Sequence, residues 1–258
     1  MDGLLKVESL RKGQILDNVS FEVKPGEMLA IMGPSGSGKS TLLYQVAGMD
    51  EPSSGKVWLG DTEITGLSED GKAKLRLHRM GFVFQQMNMM ANLNLLDNIL
   101  LPAMQARRKT YSNMTGRQGE SRMTKSELEI KAQRLMQKFG IANLGNRKIT
   151  QVSGGQLQRA CICRSMMNAP EILFADEPTG ALNKSAAQEV MEVLLGLNRE
   201  GVTILMVTHD SKVASCCDRI LYLLDGRICG ELAMGKPKPD CQKQSEEKVN
   251  NWLMGMGW

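Results

Sequence analysis

One stretch limits the fold of this chain more than any other: Gly33-Pro34-Ser35-Gly36-Ser37-Gly38-Lys39-Ser40-Thr41. The apolar run 28–32 leads into it. A helical pattern follows, with Leu42, Leu43, Val46 and Ala47 on one face and Gly48 as its stop. Glycines between a strand and a helix let backbone N–H groups converge on phosphate oxygens, and the helix N-terminus adds a favourable field. At this spacing Lys39 reaches the β- and γ-phosphates, and Ser40 offers a hydroxyl to magnesium.

The remaining pattern supplies a sheet to carry that loop. Residues 4–10 and 15–23 read as strands, Pro25-Gly26-Glu27 turns the chain into 28–32, 56–65 reads as a strand or hairpin, and 80–84 as a short strand. Between residues 86 and about 170 the strands largely give way to helical periodicity, at 94–108, 125–139 and 155–168. Apolar strands return at 172–175, 203–208 and 220–224, with a helix at 185–198. Short, almost wholly apolar strands alternating with helices argue for a parallel sheet covered on both faces. With 258 residues, 42% of them hydrophobic, the chain can bury one sizeable core or a core plus a subdomain.

Two further segments carry chemistry. Ile172-Leu173-Phe174-Ala175-Asp176-Glu177 is a strand ending in two carboxylates. Beside a phosphate loop, Asp176 can hold the magnesium shell and Glu177 can accept a proton from attacking water. Val152-Ser153-Gly154-Gly155-Gln156 opens a helix with a hydroxyl and exposed N–H groups, which reads either as a helix cap or as a second anion site.

The order of GPSGSGKST, a lone Gln85 after an apolar strand, VSGGQ, ILFADEP and His209 after the apolar strand 203–208 resembles the ATP-binding cassette of ABC transporters, across nearly the whole chain. The resemblance implies an α/β, P-loop NTPase core with a parallel sheet, an antiparallel β subdomain and an inserted α-helical subdomain. The ATPase domain would be 1–235, with the insert at about 86–170, and 236–258 a tail with a short helix. It also implies ATP and Mg2+ as cofactors, with Ser40, Gln85 and Asp176 at the metal, Gln85 sensing the γ-phosphate, Glu177 polarising water and His209 contacting the γ-phosphate. Two copies would pair head to tail, the phosphate loop of one and Ser153, Gly154, Gly155 and Gln156 of the other enclosing each ATP. The homodimer would drive a separate transmembrane permease.

FVFQQMNMMANLNLLDNILLP, DEPTGALN and TILMVTHD are most similar to the branch serving lipoprotein release, macrolide export and bacitracin-type peptide resistance. In the family the segment bearing Met87, Met89 and Met90, expected to be exposed, meets the permease. Asn183 stands where most cassettes have Asp. The aromatic that usually stacks on adenine is missing: residues 1–20 contain no Phe, Tyr, Trp or His, and Arg11 lies nearest the expected place. Cassettes of DNA repair or of ribosomes are the rival within the family. They usually carry long coiled coils or tandem cassettes, whereas this chain has one phosphate loop and no sustained heptads. A binding-only module is the other rival, opposed by intact Glu177 and His209.

Charge and cysteine usage exclude other classes. Lys and Arg number 32 against 28 Asp and Glu, a net charge of +4 that gives no reason to expect nucleic acid. Six cysteines without metal-type spacing point to buried thiols and a reducing, cytosolic compartment; Cys216 and Cys217 are expected on a helix. Residues 1–12 are mixed and charged, unlike a secretory leader, and no apolar run is long enough to span a membrane. Membrane attachment would then go through the permease alone. The basic stretch 107–122 reads as a solvated loop or a contact surface. The tail, with Trp252, Leu253, Met254 and Trp258, reads as a small docked helix or a partner-docking element.

Overall fold

A computed structural model describes residues 3–108, 123–236 and 242–258. Most of the basic stretch 107–122, and Cys241, lie outside the described residues. The chain divides into two compact units.

The first unit comprises Met1–Lys72, Phe174–Pro178 and Leu194–Trp258. Strands β1 (Leu5–Lys12) and β2 (Leu16–Val23) pair antiparallel, and β1 pairs on its other side with β4 (Ser54–Leu59), which continues into β5 (Thr62–Glu63). A second sheet is built around β3 (Met28–Met32). There β8 (Thr203–Val207) and β9 (Arg219–Leu224) flank β3 in parallel, and the order is β10-β9-β3-β8-β7, with β7 at Ile172–Asp176. Every residue of β3, β7 and β8 is buried, as apolar strands covered on both faces must be. Helix α1 (Lys39–Val46) leaves the end of β3 through the glycine loop.

The second unit, Ala73–Leu173 and Thr179–Val193, is mainly helical. Helix α2 (Glu69–Arg79) leads into β6 (Met80–Phe84), which lies beside the start of β7. Helices α3 (Leu95–Arg108), α4 (Lys125–Lys138) and α5 (Gly154–Met166) pack on one another, and α6 (Lys184–Arg199) begins in this unit. Between α4 and α5 the described residues form only two 3-10 turns and an isolated bridge from Asn94 to Lys148.

Three elements depart from the sequence reading. Helix α2 has no apolar stripe long enough to signal it; among its residues only Gly71, Lys72 and Leu75 are buried, and the Lys72 ammonium is held by Glu51 at 2.7 Å and Glu69 at 2.9 Å. Strand β10 (Arg227–Ala233) is an edge strand with no buried residue, antiparallel to β9. It exists because Asp225 and Gly226, at φ 46° and 74°, make the two-residue turn that suits a right-twisted hairpin. The short helix α7 (Ser211–Ala214) ends before Cys216 and Cys217, which are buried in the following turn rather than on a helix.

Helix α8 (Gln242–Gly255) packs within the first unit. Val249 and Leu253 are buried, and Trp252 and Trp258 meet Tyr222 of β9 edge-on, at centroid distances of 6.2 and 6.0 Å. These contacts favour the docked helix over an element held out for a partner, although Met254 and part of Trp258 remain exposed. No helix among the described residues is long and apolar enough to cross a membrane.

Candidate functional site

The glycine loop closes tightly against the sheet. A Cβ on Gly33 would lie 2.0 Å from the Leu223 carbonyl oxygen and 2.7 Å from Ser37 Oγ, so only glycine fits. Ser37 N–H donates to Pro34 O at 3.2 Å, and Gly226 N–H donates to Ser37 O at 3.2 Å, which pins the loop from both sides. Gly38 begins α1 at φ 97° and supplies no side-chain cap, so the first-turn N–H groups face the loop without an internal acceptor side chain. Lys39 Nζ bridges the carbonyl oxygens of Gly33 at 2.7 Å and Pro34 at 2.9 Å. Burial holds this ammonium below the usual lysine pKa, against the opposing pull of the Glu177 and Asp176 carboxylates.

The end of β7 brings the two carboxylates to the same loop. Asp176, 8% exposed, accepts from Ser40 Oγ at 3.0 Å and from the Tyr44 hydroxyl at 2.7 Å. Burial and that bond to Asp176 push the Tyr44 phenol up to about 12. Glu177 adopts φ 46°, a left-handed conformation that a non-glycine residue rarely takes. Its N–H donates to Val207 O at 3.0 Å, so the strand-to-loop turn is fixed by β8. The Glu177 Oε1 then lies 2.7 Å from His209 Nδ1. His209 follows β8 between Thr208, whose N–H donates to Ile31 O, and Asp210, which caps α7 through Lys212 N–H.

The structure thus gathers Gly33–Thr41, Asp176, Glu177 and His209 in the first unit. Gln85 and Ser153-Gly154-Gly155-Gln156 belong to the second. Gln85 is exposed at the bend after β6, and the chain on either side of it is held by α5: Gln158 Nε2 donates to Phe84 O at 3.3 Å, and Arg164 donates to Met87 O at 3.0 Å and Asn88 O at 2.8 Å. Met87 and Met89 are half-buried, and only Met90, at 50%, is exposed, which corrects the expectation of three exposed methionines.

Ser153 caps α5 in a reciprocal box: its Oγ accepts from Gln156 N–H at 3.3 Å while Gln156 Oε1 accepts from Ser153 N–H at 2.9 Å. A Cβ on Gly155 would meet Ala186 at 2.7 Å, so this glycine serves close packing of α5 on α6. Asn183 Oδ1 accepts from Ala186 N–H at 2.9 Å and caps α6, a task an Asp there would perform equally.

Tyr44 is the residue sequence reading overlooked; it lies one helical turn beyond Ser40, a spacing that puts both on one face of α1. The donor set itself suits hard ligands. A buried carboxylate and a serine hydroxyl 3.0 Å apart are oxygen donors of the kind magnesium takes together with phosphate oxygens. The uncapped helix start and the glycine cradle suit a triphosphate.

The ABC transporter family matches residues 16–180. The chain belongs to the ABC transporter family. Among curated proteins this ABC cassette is 41% identical over 214 residues to the uncharacterized ABC transporter ATP-binding protein MJ0796 of Methanocaldococcus jannaschii, covering 83% of this chain and 86% of that one. It is 38% identical over 238 residues to the macrolide export ATP-binding/permease protein MacB of Vibrio parahaemolyticus, covering 89% of this chain but 34% of the exporter. The cassette therefore spans about a third of the length of that relative. A solved dimer of MJ0796 in a post-hydrolysis state, bound to ADP and phosphate, superposes with a TM-score of 0.78 at 34% identity, covering 89% of this chain and 98% of that one. The match shows the ABC ATPase fold, and membership of the family supports ATP binding.

Proposed function

We propose that this chain is the ATP-hydrolysing subunit of an ABC transporter, acting as a homodimer that closes on ATP and drives a separate transmembrane permease. The observation that carries the reading is the meeting of Lys39, Ser40, Asp176, Glu177 and His209 at one phosphate-shaped loop. Lys39 leaves the carbonyls of Gly33 and Pro34 to pair with the β- and γ-phosphates. Ser40 and Asp176 would hold Mg2+, with Gln85 as a further ligand by the family resemblance alone, and the ion would neutralise phosphate charge. Glu177 takes the proton of the attacking water, and His209, at hydrogen-bonding distance from Glu177, contacts the γ-phosphate and holds it in its in-line geometry.

Ser153, Gly154, Gly155 and Gln156 complete the site of the second copy. Relatives that are themselves export and transport proteins support a transporter over DNA repair or ribosomal work. The branch points to macrolides, lipoproteins or antimicrobial peptides as cargo, and the subunit would sit on the cytoplasmic face of the membrane through its permease. We take residues 1–235 as the ATPase domain, with the helical insert at about 86–170, and 236–258 as its tail.

The test is complementation between half-sites. Lys39→Ala breaks the loop and Ser153→Arg breaks the opposite half, so each homodimer should be inactive. A mixture contains heterodimers with one intact composite site and should regain ATPase activity. A mixture as inactive as its parts would overturn the head-to-tail dimer.

A further inference from the structure

Ser40 and Tyr44 lie one turn apart on α1, and both hydroxyls reach the same buried carboxylate: Ser40 Oγ to Asp176 Oδ1 at 3.0 Å, Tyr44 to Oδ2 at 2.7 Å. The two oxygens of Asp176 are thereby distinguished. The one that faces Ser40 shares the loop with the phosphate cradle. The other is occupied by a phenol on a helix that leaves the loop, and the Tyr44 backbone is itself fixed, its carbonyl accepting from Met49 N–H at 2.8 Å.

We propose that Tyr44 is a positioning residue for the metal site: its hydroxyl holds Oδ2 so that Oδ1 is aimed, together with Ser40, at the bound Mg2+. This rests on the role given above to Asp176. A carboxylate with only 8% exposure has few waters to orient it, and a charged acceptor binds a neutral donor strongly and at short distance. When Ser40 turns its oxygen toward a cation, the Tyr44 bond is what keeps Asp176 from rotating. Hydrogen-bonding partners behind metal ligands typically contribute about 10- to 100-fold in metal affinity.

The experiment uses the full chain with Mn2+ as a paramagnetic probe and a non-hydrolysable ATP analogue. Mn2+ binding is read by electron paramagnetic resonance, and metal-free binding of the analogue by calorimetry. Tyr44→Phe should raise the half-saturating Mn2+ concentration about 10-fold or more while metal-free affinity for the analogue stays within about twofold. Tyr44→Met, which also lacks the hydroxyl and packs adaptably, should give the same shift and replaces the Phe variant if that fails to fold. In the Asp176→Asn background Tyr44→Phe should add nothing.

Unchanged Mn2+ affinity in the tyrosine variants, with Asp176→Asn weakened, overturns the Tyr44 role alone. Equal loss of metal-free binding makes Tyr44 structural and overturns it as well. An Asp176→Asn variant with normal Mn2+ affinity overturns the metal role of Asp176 and this proposal together.

Discussion

Replacing Glu177 by Gln separates binding from chemistry at this site. The amide keeps the size of the side chain, can still bond His209 Nδ1 across 2.7 Å, and leaves the Glu177 N–H bond to Val207 O untouched. Stability should move by no more than about 0.5 kcal/mol. The cradle is untouched as well, because Lys39 bonds Gly33 and Pro34 and Ser40 bonds Asp176. Removing one negative charge that acts on Lys39 lessens repulsion of a triphosphate, so ATP affinity should hold or improve about two- to threefold.

Turnover should behave in the opposite way. A positioned general base contributes about 100- to 10,000-fold, so the barrier should rise by about 2.7 kcal/mol or more. The assay pairs steady-state phosphate release with equilibrium ATP binding and size measurement of the ATP-bound species. The expected result is phosphate release reduced about 100-fold or more, unimpaired binding and a trapped dimer. Release within a few fold of the parent would remove Glu177 as the base, and a matching loss of binding would show that the variant disorders the loop.

Four further outcomes follow from the same geometry. Gly33→Ala forces a methyl against the Leu223 carbonyl, so it should cost about 1–3 kcal/mol of stability and lower the thermal midpoint by several degrees with loss of ATP binding, whereas Gly196→Ala, in α6 with open space around it, should stabilise by about 0.5–1 kcal/mol and leave ATPase activity intact. Lys39 titrates below the usual 10.5, and bound phosphate must raise its pKa; affinity is therefore complete at neutral pH and should fall as pH rises through the free-state value, which calorimetry from about pH 7 to about pH 10 would read. Arg11, exposed and 3.4 Å from Asp17, lies nearest the place of the missing aromatic, and a guanidinium stacked on a base does not tell purines apart, so ATP and GTP should bind the Glu177→Gln protein within about 100-fold of each other; a larger preference would mean another residue reads adenine. Met90→Ala should impair transport coupling with the permease more than nucleotide binding, and more than Met87→Ala or Met89→Ala at the half-buried positions.

The strands that bear the site were legible because burial on both faces demands apolar residues: Met28–Met32, Ile172–Asp176 and Thr203–Val207 announce themselves in hydrophobicity alone. Elements stabilised by polar contacts were not. Helix α2 rests partly on the Lys72 pairs, and β10 on an Asp-Gly turn whose signal is two residues long. The same division holds at the site. Gly33 to Thr41 form a contiguous pattern, while Tyr44 matters only because a strand distant in sequence brings Asp176 within reach of its hydroxyl.

Adjacent in sequence, Asp176 and Glu177 show why residue types assign a chemistry but not the division of labour. Asp176 ends a buried strand and faces two hydroxyls of α1, which hold its charge in place and suit it to a fixed metal ligand. One residue later the backbone turns to φ 46°, costing of order 1 kcal/mol for a non-glycine residue. That turn takes Glu177 out of the strand's alternation and delivers its carboxylate to His209. Had Glu177 continued the strand, its side chain would have pointed to the opposite face of the sheet from Asp176. In the roles proposed above, the strain, repaid by the bond from Glu177 N–H to Val207 O, is what would let two neighbouring carboxylates serve one phosphate, one through a metal and one through a proton.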